Sequence, residues 1–188
     1  MRGWIMDVLK RLRRRWPLLV CLVAGGVCGA AGLCLNDYVM LATSTPRFCV
    51  SCHEIERAYE TWRTSSHASN KRGVVAECMD CHLPDPGRKI SFYYSKAYHG
   101  TKDILAHVGM AALGWEYNRE HNQVVARKEI TNDRCQRCHQ KLIAPGMSRG
   151  AMLAHRSTLH PREGYEKSCL QCHENLVHKT AALFARRN

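Results

Sequence analysis

The sequence predicts a mostly α-helical protein with much irregular structure, attached to a membrane by one N-terminal helix. Three observations support this fold class. Residues 16–35 form an apolar run of 20 residues without a charged side chain. The remaining chain shows no long alternation of apolar and polar residues, so it predicts short helices and loops instead of a sheet. Four short motifs of cysteine and histidine interrupt it, and the chain must turn around them.

The apolar run predicts a membrane anchor. A helix of 20 residues at about 1.5 Å per residue spans roughly 30 Å, the thickness of one hydrocarbon core. Residues 1–15 hold six Arg or Lys and one Asp, and the positive-inside rule places such a segment in the cytoplasm. We therefore expect a cytoplasmic segment over 1–15, an inner-membrane anchor over 16–38 and a periplasmic domain over 39–188. The apolar run is longer than that of a usual signal peptide, which favours an anchor that is not cleaved.

Small residues within the anchor suggest helix packing. Gly25 and Gly29 have the spacing of a helix–helix contact, a weak signal for an oligomer formed through the anchor. Cys21, Cys28 and Cys34 lie in the same run and are interpreted as packing residues. Beyond the anchor, helices are expected over 54–64, 88–107 and 116–130.

The polar part of the chain carries four copies of Cys-x-x-Cys-His. This spacing is the attachment signature of c-type haem, in which two thiols form thioether bonds and the adjacent histidine becomes an iron ligand. One copy is compatible with a zinc site or a redox dithiol, but four copies leave those interpretations little room. The copies are Cys49-Val50-Ser51-Cys52-His53, Cys78-Met79-Asp80-Cys81-His82, Cys135-Gln136-Arg137-Cys138-His139 and Cys169-Leu170-Gln171-Cys172-His173. The sequence thus predicts a multihaem cytochrome c domain with four covalent haems, which transfers electrons.

The net charge of +12 does not indicate nucleic-acid binding. Residues 1–15 account for +5 of it, which leaves +7 for the rest of the chain. Four haems would add about eight negative charges through their propionates at neutral pH. The haem-loaded domain is then close to neutral, and many Arg and Lys side chains are expected to pair with propionates.

The spacing of the motifs suggests two dihaem modules, over about 45–110 and 120–180. The first cysteines stand at 49, 78, 135 and 169, so the intervals are 29, 57 and 34 residues. Four six-coordinate irons need eight ligands, and the motif histidines supply four. Seven other histidines exceed the four remaining positions, so some of them must have ordinary roles. They are His67, His99, His107, His121, His155, His160 and His178.

Several of these segments together resemble a known family. The anchor, the segment Phe48 to Glu54 around the first motif, Ser66-His67, Gly73-Val74 and the last motif with its trailing His178 resemble the NapC/NirT/NrfH family of membrane-anchored tetrahaem quinol dehydrogenases. The segment Lys96-Ala97-Tyr98-His99-Gly100-Thr101-Lys102-Asp103 is similar to the NrfH branch, whose members donate electrons to pentahaem nitrite reductase.

The resemblance implies roles for individual residues. His67 would be the distal ligand of the fourth haem and His178 that of the third, while a deprotonated Lys96 would bind the second. Asp103 would lie on the distal side of the first haem and accept protons from the quinol. Alternatives remain open: Lys96 as a propionate-pairing or surface ammonium, and Asp103 as a salt-bridge partner. His160 is the next candidate ligand, and His99 is the candidate if Lys96 does not ligate.

The first motif departs from the family pattern. Family members often carry a methionine two residues after the first motif histidine and use it on the first iron, but Ile55 stands there and cannot ligate. We therefore expect His53 to bind this iron. The sixth position is then open or weakly capped by Asp103.

The function implied by the resemblance is menaquinol oxidation by a quinol dehydrogenase, followed by electron transfer to a periplasmic multihaem reductase, with pentahaem nitrite reductase first in order. Other readings are a NapC-type donor to nitrate reductase or another periplasmic oxidoreductase, and an electron-transfer subunit without its own quinone site. A third class, a multihaem catalytic enzyme, would need an open iron lined by residues such as Tyr93, Tyr94 and Tyr98. These aromatic side chains are more simply explained as haem-packing residues.

Overall fold

A computed structural model describes residues 2–178 of the chain. Within these residues the regular structure is entirely helical, which confirms the predicted fold class. In chain order the helices are α1 (Arg2–Ala42), α2 (Pro46–Cys49), α3 (Glu56–Arg63), α4 (Cys78–His82), α5 (Lys89–Leu113), α6 (Arg119–Glu129), α7 (Asn132–Gln136), α8 (Arg149–Leu159) and α9 (Cys169–Cys172), with a 3₁₀ turn at His53–Ile55 before α3. The chain divides into two compact units between Thr43 and Ser44.

The first unit consists of helix α1. Its stretch Arg13–Ala42 is long enough and apolar enough to cross a membrane, and its most apolar part is not buried against other described residues. The helix continues without a break through Pro17 and through most of the basic segment that precedes the apolar run. A helix whose apolar side chains stay unburied over such a length favours lipid as its surroundings.

The second unit is built from short helices with local start signals. Thr45 accepts a hydrogen bond from the backbone N–H of Phe48, and Pro46 occupies the first position of α2. Side chains of Asn118, Ser148 and Ser168 begin α6, α8 and α9 in the same way. Each of the four motifs begins in one of these short helices, so the cysteine pair and the following histidine are presented over roughly one helical turn.

The long helix α5 runs from Lys89 to Leu113 and ends at Gly114, which adopts the left-handed conformation with φ of 68°. The turn brings Trp115 back onto the helix at Gly109. A β-carbon added at Gly109 would lie 2.2 Å from the indole, so only glycine permits this contact. The three helices expected from the sequence are all present, and this one extends six residues beyond the expected end at 107.

The second unit has almost no apolar core of its own. Among the described residues the buried large apolar side chains are Phe92, fully buried, and Leu83, 7% exposed. A domain of this size normally buries many more, because apolar burial must offset the conformational entropy of folding. The polypeptide is therefore organised around groups other than its own side chains.

We predict that the haem-free chain does not fold cooperatively. Expression without the cytochrome c maturation machinery should give a protein without a sharp calorimetric transition and with rapid proteolysis after residue 44, because the covalent cofactors supply the missing core. The haem-loaded protein is the matched control. A cooperative transition in the haem-free chain would contradict this explanation.

Candidate electron-transfer centre

The cysteines of neighbouring motifs meet in pairs. The thiols of Cys49 and Cys78 share a hydrogen bond, which lowers the pKa of Cys49 to about 7 and raises that of Cys78. Cys135 hydrogen-bonds with Cys169, joining the third motif to the fourth. Helix α4 packs against both α2 and α7, so the second motif lies beside the first and the third. Groups attached at these cysteines therefore lie side by side in the same order as the motifs along the sequence.

Polar side chains fix the junctions between the later motifs. Arg134 donates a hydrogen bond to the backbone carbonyl of Cys81 at 2.8 Å, and Arg137 donates one to that of Asp80. Asn132 accepts a hydrogen bond from the backbone N–H of Cys169 at 2.8 Å and donates one to the carbonyl of Lys167. Helix α7 thus holds the second motif on one side and the fourth on the other.

Each motif histidine faces a histidine from elsewhere in the described chain. The ring centroids of His82 and His178 are 6.2 Å apart, and those of His67 and His139 are also 6.2 Å apart. His155 and His173 stack at 6.3 Å. At the first motif His53 and His107 are 5.7 Å apart with their planes at 63°.

These ring pairs fit a metal held between two imidazoles. A metal–nitrogen distance of about 2 Å on each side, plus the half-width of each ring, gives a centroid separation of about 6 Å. The Nδ1 atoms of His67 and His155 are buried without a hydrogen-bond partner. Burying a polar atom in this way costs free energy. Burial also lowers the pKa of His178, and it lowers that of His82 to about 4, so both rings stay neutral and able to ligate.

The ring pairs differ from the pairing implied by the family resemblance. His67 was expected at the fourth haem and His178 at the third, whereas the structure sets His67 opposite the third motif and His178 opposite the second. The fourth motif receives His155 from α8, which lies within the 34-residue interval between the last two motifs.

The structure places Lys96 beside the first motif. His178 faces His82, and the other charges that act on His82 are those of Arg134 and His99. The ammonium of Lys96 lies 5.6 Å from the centre of the Phe48 ring and interacts electrostatically with Cys49 and Asp103. Lys96 is therefore at the first motif, where its pKa is lowered by burial. Its assignment to the second iron stays a prediction that this geometry does not favour.

Asp103 belongs to the same cluster. It lies seven residues after Lys96, about two turns along α5, and therefore on the same helix face. Its carboxylate keeps an exposed edge, yet loss of water around it raises its pKa, while the positive charges of Lys102, His99 and Lys96 oppose that rise. His99 is also 3.8 Å from a carboxylate oxygen of Glu129.

An open cavity of about 600 Å³ adjoins the first motif. Its walls combine ionic, aromatic and thioether groups. They are His53, Glu54, Glu56, Arg57, Glu60, Met110, Trp115, Tyr117 and Arg119. Trp115 reaches this position through the turn at Gly114, so the end of α5 shapes the cavity.

The helical fold and the four motifs define a multihaem c-type cytochrome. The chain belongs to the NapC/NirT cytochrome c family, whose N-terminal region matches residues 11–183. This is a family of membrane-anchored electron-transport cytochromes, and the one N-terminal apolar helix of this chain agrees with it.

Relatives come from several branches at similar identity. The chain is 31% identical to the cytochrome c-type protein TorY of Haemophilus influenzae over 85% of its own length and 43% of TorY, so it spans less than half of that relative. It is 28% identical to the tetraheme c-type cytochrome CymA of Shewanella oneidensis, over 87% and 91% of the two chains. It is 30% identical to the cytochrome c-type protein NrfH of Wolinella succinogenes, over 72% and 70%.

The fold agrees with a solved structure. A chain in the crystal structure of the cytochrome c nitrite reductase NrfHA complex bound to the HQNO inhibitor superposes with a TM-score of 0.52, covering 84% of this chain and 90% of that one at 23% identity. The family and the four motifs together assign c-type haems to this chain.

We predict that His67, His155 and His178 each ligate one iron. Replacing any of them by Ala should leave four covalent haems but convert one low-spin haem to high-spin, because one imidazole is lost from a six-coordinate iron. Electron paramagnetic resonance measures the change, and added imidazole should reverse it. His121→Ala, at an exposed position on α6, is the control. An unchanged spectrum in a variant would remove that residue from the ligand set.

Proposed function

We propose that this chain is a menaquinol dehydrogenase of the bacterial inner membrane, which passes electrons from the quinol pool to a periplasmic multihaem reductase. The observation that carries the proposal is the cluster at the first motif, where Lys96, Asp103 and Phe48 gather around Cys49. Quinol oxidation requires a proton acceptor beside the first electron acceptor, and the Asp103 carboxylate in this cluster is such a group.

The orientation follows from the charge around the anchor. Cationic residues crowd the N-terminal side of the apolar stretch, which supports a cytoplasmic N-terminus and a periplasmic second unit. Covalent haem attachment takes place on that same side of the membrane. Helix α1 ends at Ala42 and the first motif begins at Cys49, so the first haem is tethered within a few residues of the bilayer.

Oxidation of a quinol releases two electrons and two protons, and the chain offers a group for the protons. The haems supply one-electron redox chemistry. While Asp103 is ionised, its carboxylate accepts a proton from the quinol hydroxyl. The positive charges of Lys96 and Lys102 help to keep it ionised against the effect of its partial burial. Phe48 contacts the Lys96 ammonium and limits where that side chain can lie.

The order of the motifs provides the route for electrons. The Cys49–Cys78 contact, the bonds of Arg134 and Arg137 to the second motif, and the Cys135–Cys169 contact join the four motifs in one series. The fourth motif then lies farthest along this series from the proposed quinol site. A reductase receiving electrons would dock near it.

Similarity to NrfH supports pentahaem nitrite reductase as the partner that we propose. The identity of 30% extends over 70% of that relative, whereas only 43% of TorY is matched. The segment Lys96–Asp103, which carries the proposed quinol chemistry, is the part that resembles the NrfH branch in sequence.

We predict that Asp103→Asn slows menaquinol oxidation by on the order of 10²-fold, the usual contribution of a positioned base, without changing haem content. The amide keeps the shape of the side chain but cannot accept the proton. Stopped-flow reduction of the haems by a water-soluble menaquinol analogue measures the rate, and Glu120→Gln on the exposed surface of α6 is the control. Wild-type rates in Asp103→Asn would remove this residue from the mechanism.

The pH dependence of the same rate should follow Asp103. Because its pKa is raised in the folded protein, the active ionised form is lost on acidification at a higher pH than for an ordinary aspartate. The rate should therefore fall as pH decreases through that raised pKa, and Asp103→Asn should flatten this limb of the profile. A limb that persists in the variant belongs to another group.

We also predict how the reduced protein returns its electrons. Nitrite alone should leave the quinol-reduced haems reduced. Addition of pentahaem nitrite reductase to the same mixture should oxidise them within the mixing time. Periplasmic nitrate reductase with nitrate is the comparison. Faster oxidation by the nitrate system would replace the proposed partner with that one.

A further inference from the structure

A buried carboxylate joins two histidines at the first motif. Glu54 follows His53 directly, and its side chain is 6% exposed. Its Oε1 atom lies 2.9 Å from Nδ1 of His107, a residue of α5 that is 53 positions away in sequence. The same oxygen lies 3.3 Å from Nε2 of His53. The acid therefore holds His107 close to the motif histidine.

The hydrogen bond fixes which nitrogen of His107 is available. An ionised carboxylate only accepts hydrogen bonds, so Nδ1 of His107 carries the hydrogen. In the neutral ring Nε2 then carries the lone pair. Metal-ligating histidines commonly have this arrangement, with a carboxylate on the other ring nitrogen.

The relation between His53 and His107 matches that at the other motifs. The three other motif histidines face a second ring at 6.2–6.3 Å, and this pair is 5.7 Å apart. At this pair both rings approach the same oxygen of Glu54, and their separation is shorter. A rotation of the exposed His53 side chain, 78% of whose surface is accessible, widens the gap without moving the backbone.

We propose that His107 is the sixth ligand of the iron held by the first motif, and that Glu54 is the residue that positions it. This proposal rests on the assignment of four c-type haems. It replaces the sequence expectation that the first iron is five-coordinate or weakly capped by Asp103.

Met110 is the competing ligand. It stands one turn after His107 on the same face of α5 and lines the cavity beside His53, and a thioether can bind haem iron. His107 is preferred because Glu54 holds its ring close to His53, with the two ring centroids 5.7 Å apart. The two ligands have opposite consequences, since an imidazole in place of a thioether lowers the reduction potential of the haem.

The purified holoprotein tests this directly. Wild type should show four low-spin haems by electron paramagnetic resonance and no high-spin signal. His107→Ala should retain four covalent haems by the pyridine haemochrome assay and gain one high-spin haem, which added imidazole converts back to low-spin. Met110→Leu and His121→Ala should leave the spectrum unchanged. A high-spin haem in wild type, or its appearance in Met110→Leu, would overturn the proposal.

Two further variants separate ligation from a structural role. His107→Met should keep a low-spin first haem, with the near-infrared band of histidine–methionine ligation and a raised reduction potential. Glu54→Gln keeps the shape but removes the charge. It should also raise the potential of the first haem without changing its spin state, because His107 becomes a weaker donor. Potentials equal to wild type in both variants would contradict the proposed roles.

Failure of the underlying assignment is distinguishable from failure of this proposal. Fewer than four haems per wild-type chain would overturn the tetrahaem assignment and the proposal with it. Four haems that all stay low-spin in His107→Ala would overturn the ligand proposal alone. Neither result depends on quinol oxidation or on the reductase.

Discussion

The structure depends on imidazole rings that meet in pairs across the fold. Two large apolar side chains are buried among the described residues, too few to hold the second unit together. Each ring pair joins a motif to a distant segment: the turn after α3 to the third motif, α8 to the fourth and the segment after α9 to the second. We infer that iron ligation between such rings, together with thioether bonds at the adjacent cysteines, takes the place of a conventional core.

The same constraint orders the route for electrons. With the facing histidines bound to the haem irons, as we predict, neighbouring motifs would not separate without breaking metal bonds. Arg134, Arg137 and Asn132 make hydrogen bonds with backbone atoms at the junctions, where the charges of the two arginines also suit haem propionates. The elements that stabilise the fold are therefore the elements that keep the redox centres close.

The sequence predicts the local features well and the long-range ones poorly. Haem attachment can be predicted because Cys-x-x-Cys-His is a contiguous motif, and the anchor can be predicted from the length and charge of its segment alone. The partner of each motif histidine is set by tertiary folding, so the ring pairs of His67 and His178 differ from those that the family resemblance implies. His155 and His107 carry no local signature. Glu54 next to His53 becomes informative only when α5 brings His107 to it.

Helix α5 carries the residues that we propose for both proton transfer and iron ligation at the first motif. Lys96, Asp103, His107 and Met110 are separated by seven, four and three residues, spacings that place all four on one face of an α-helix. The N-terminal part of this face, with Lys96 and Asp103, bears the groups suited to a quinol. The C-terminal part bears the proposed iron ligand, His107. Because a helix is rigid over this length, a change in how α5 packs moves both parts together. The close fit of Trp115 on Gly109 at its end therefore helps to fix the geometry of the whole site.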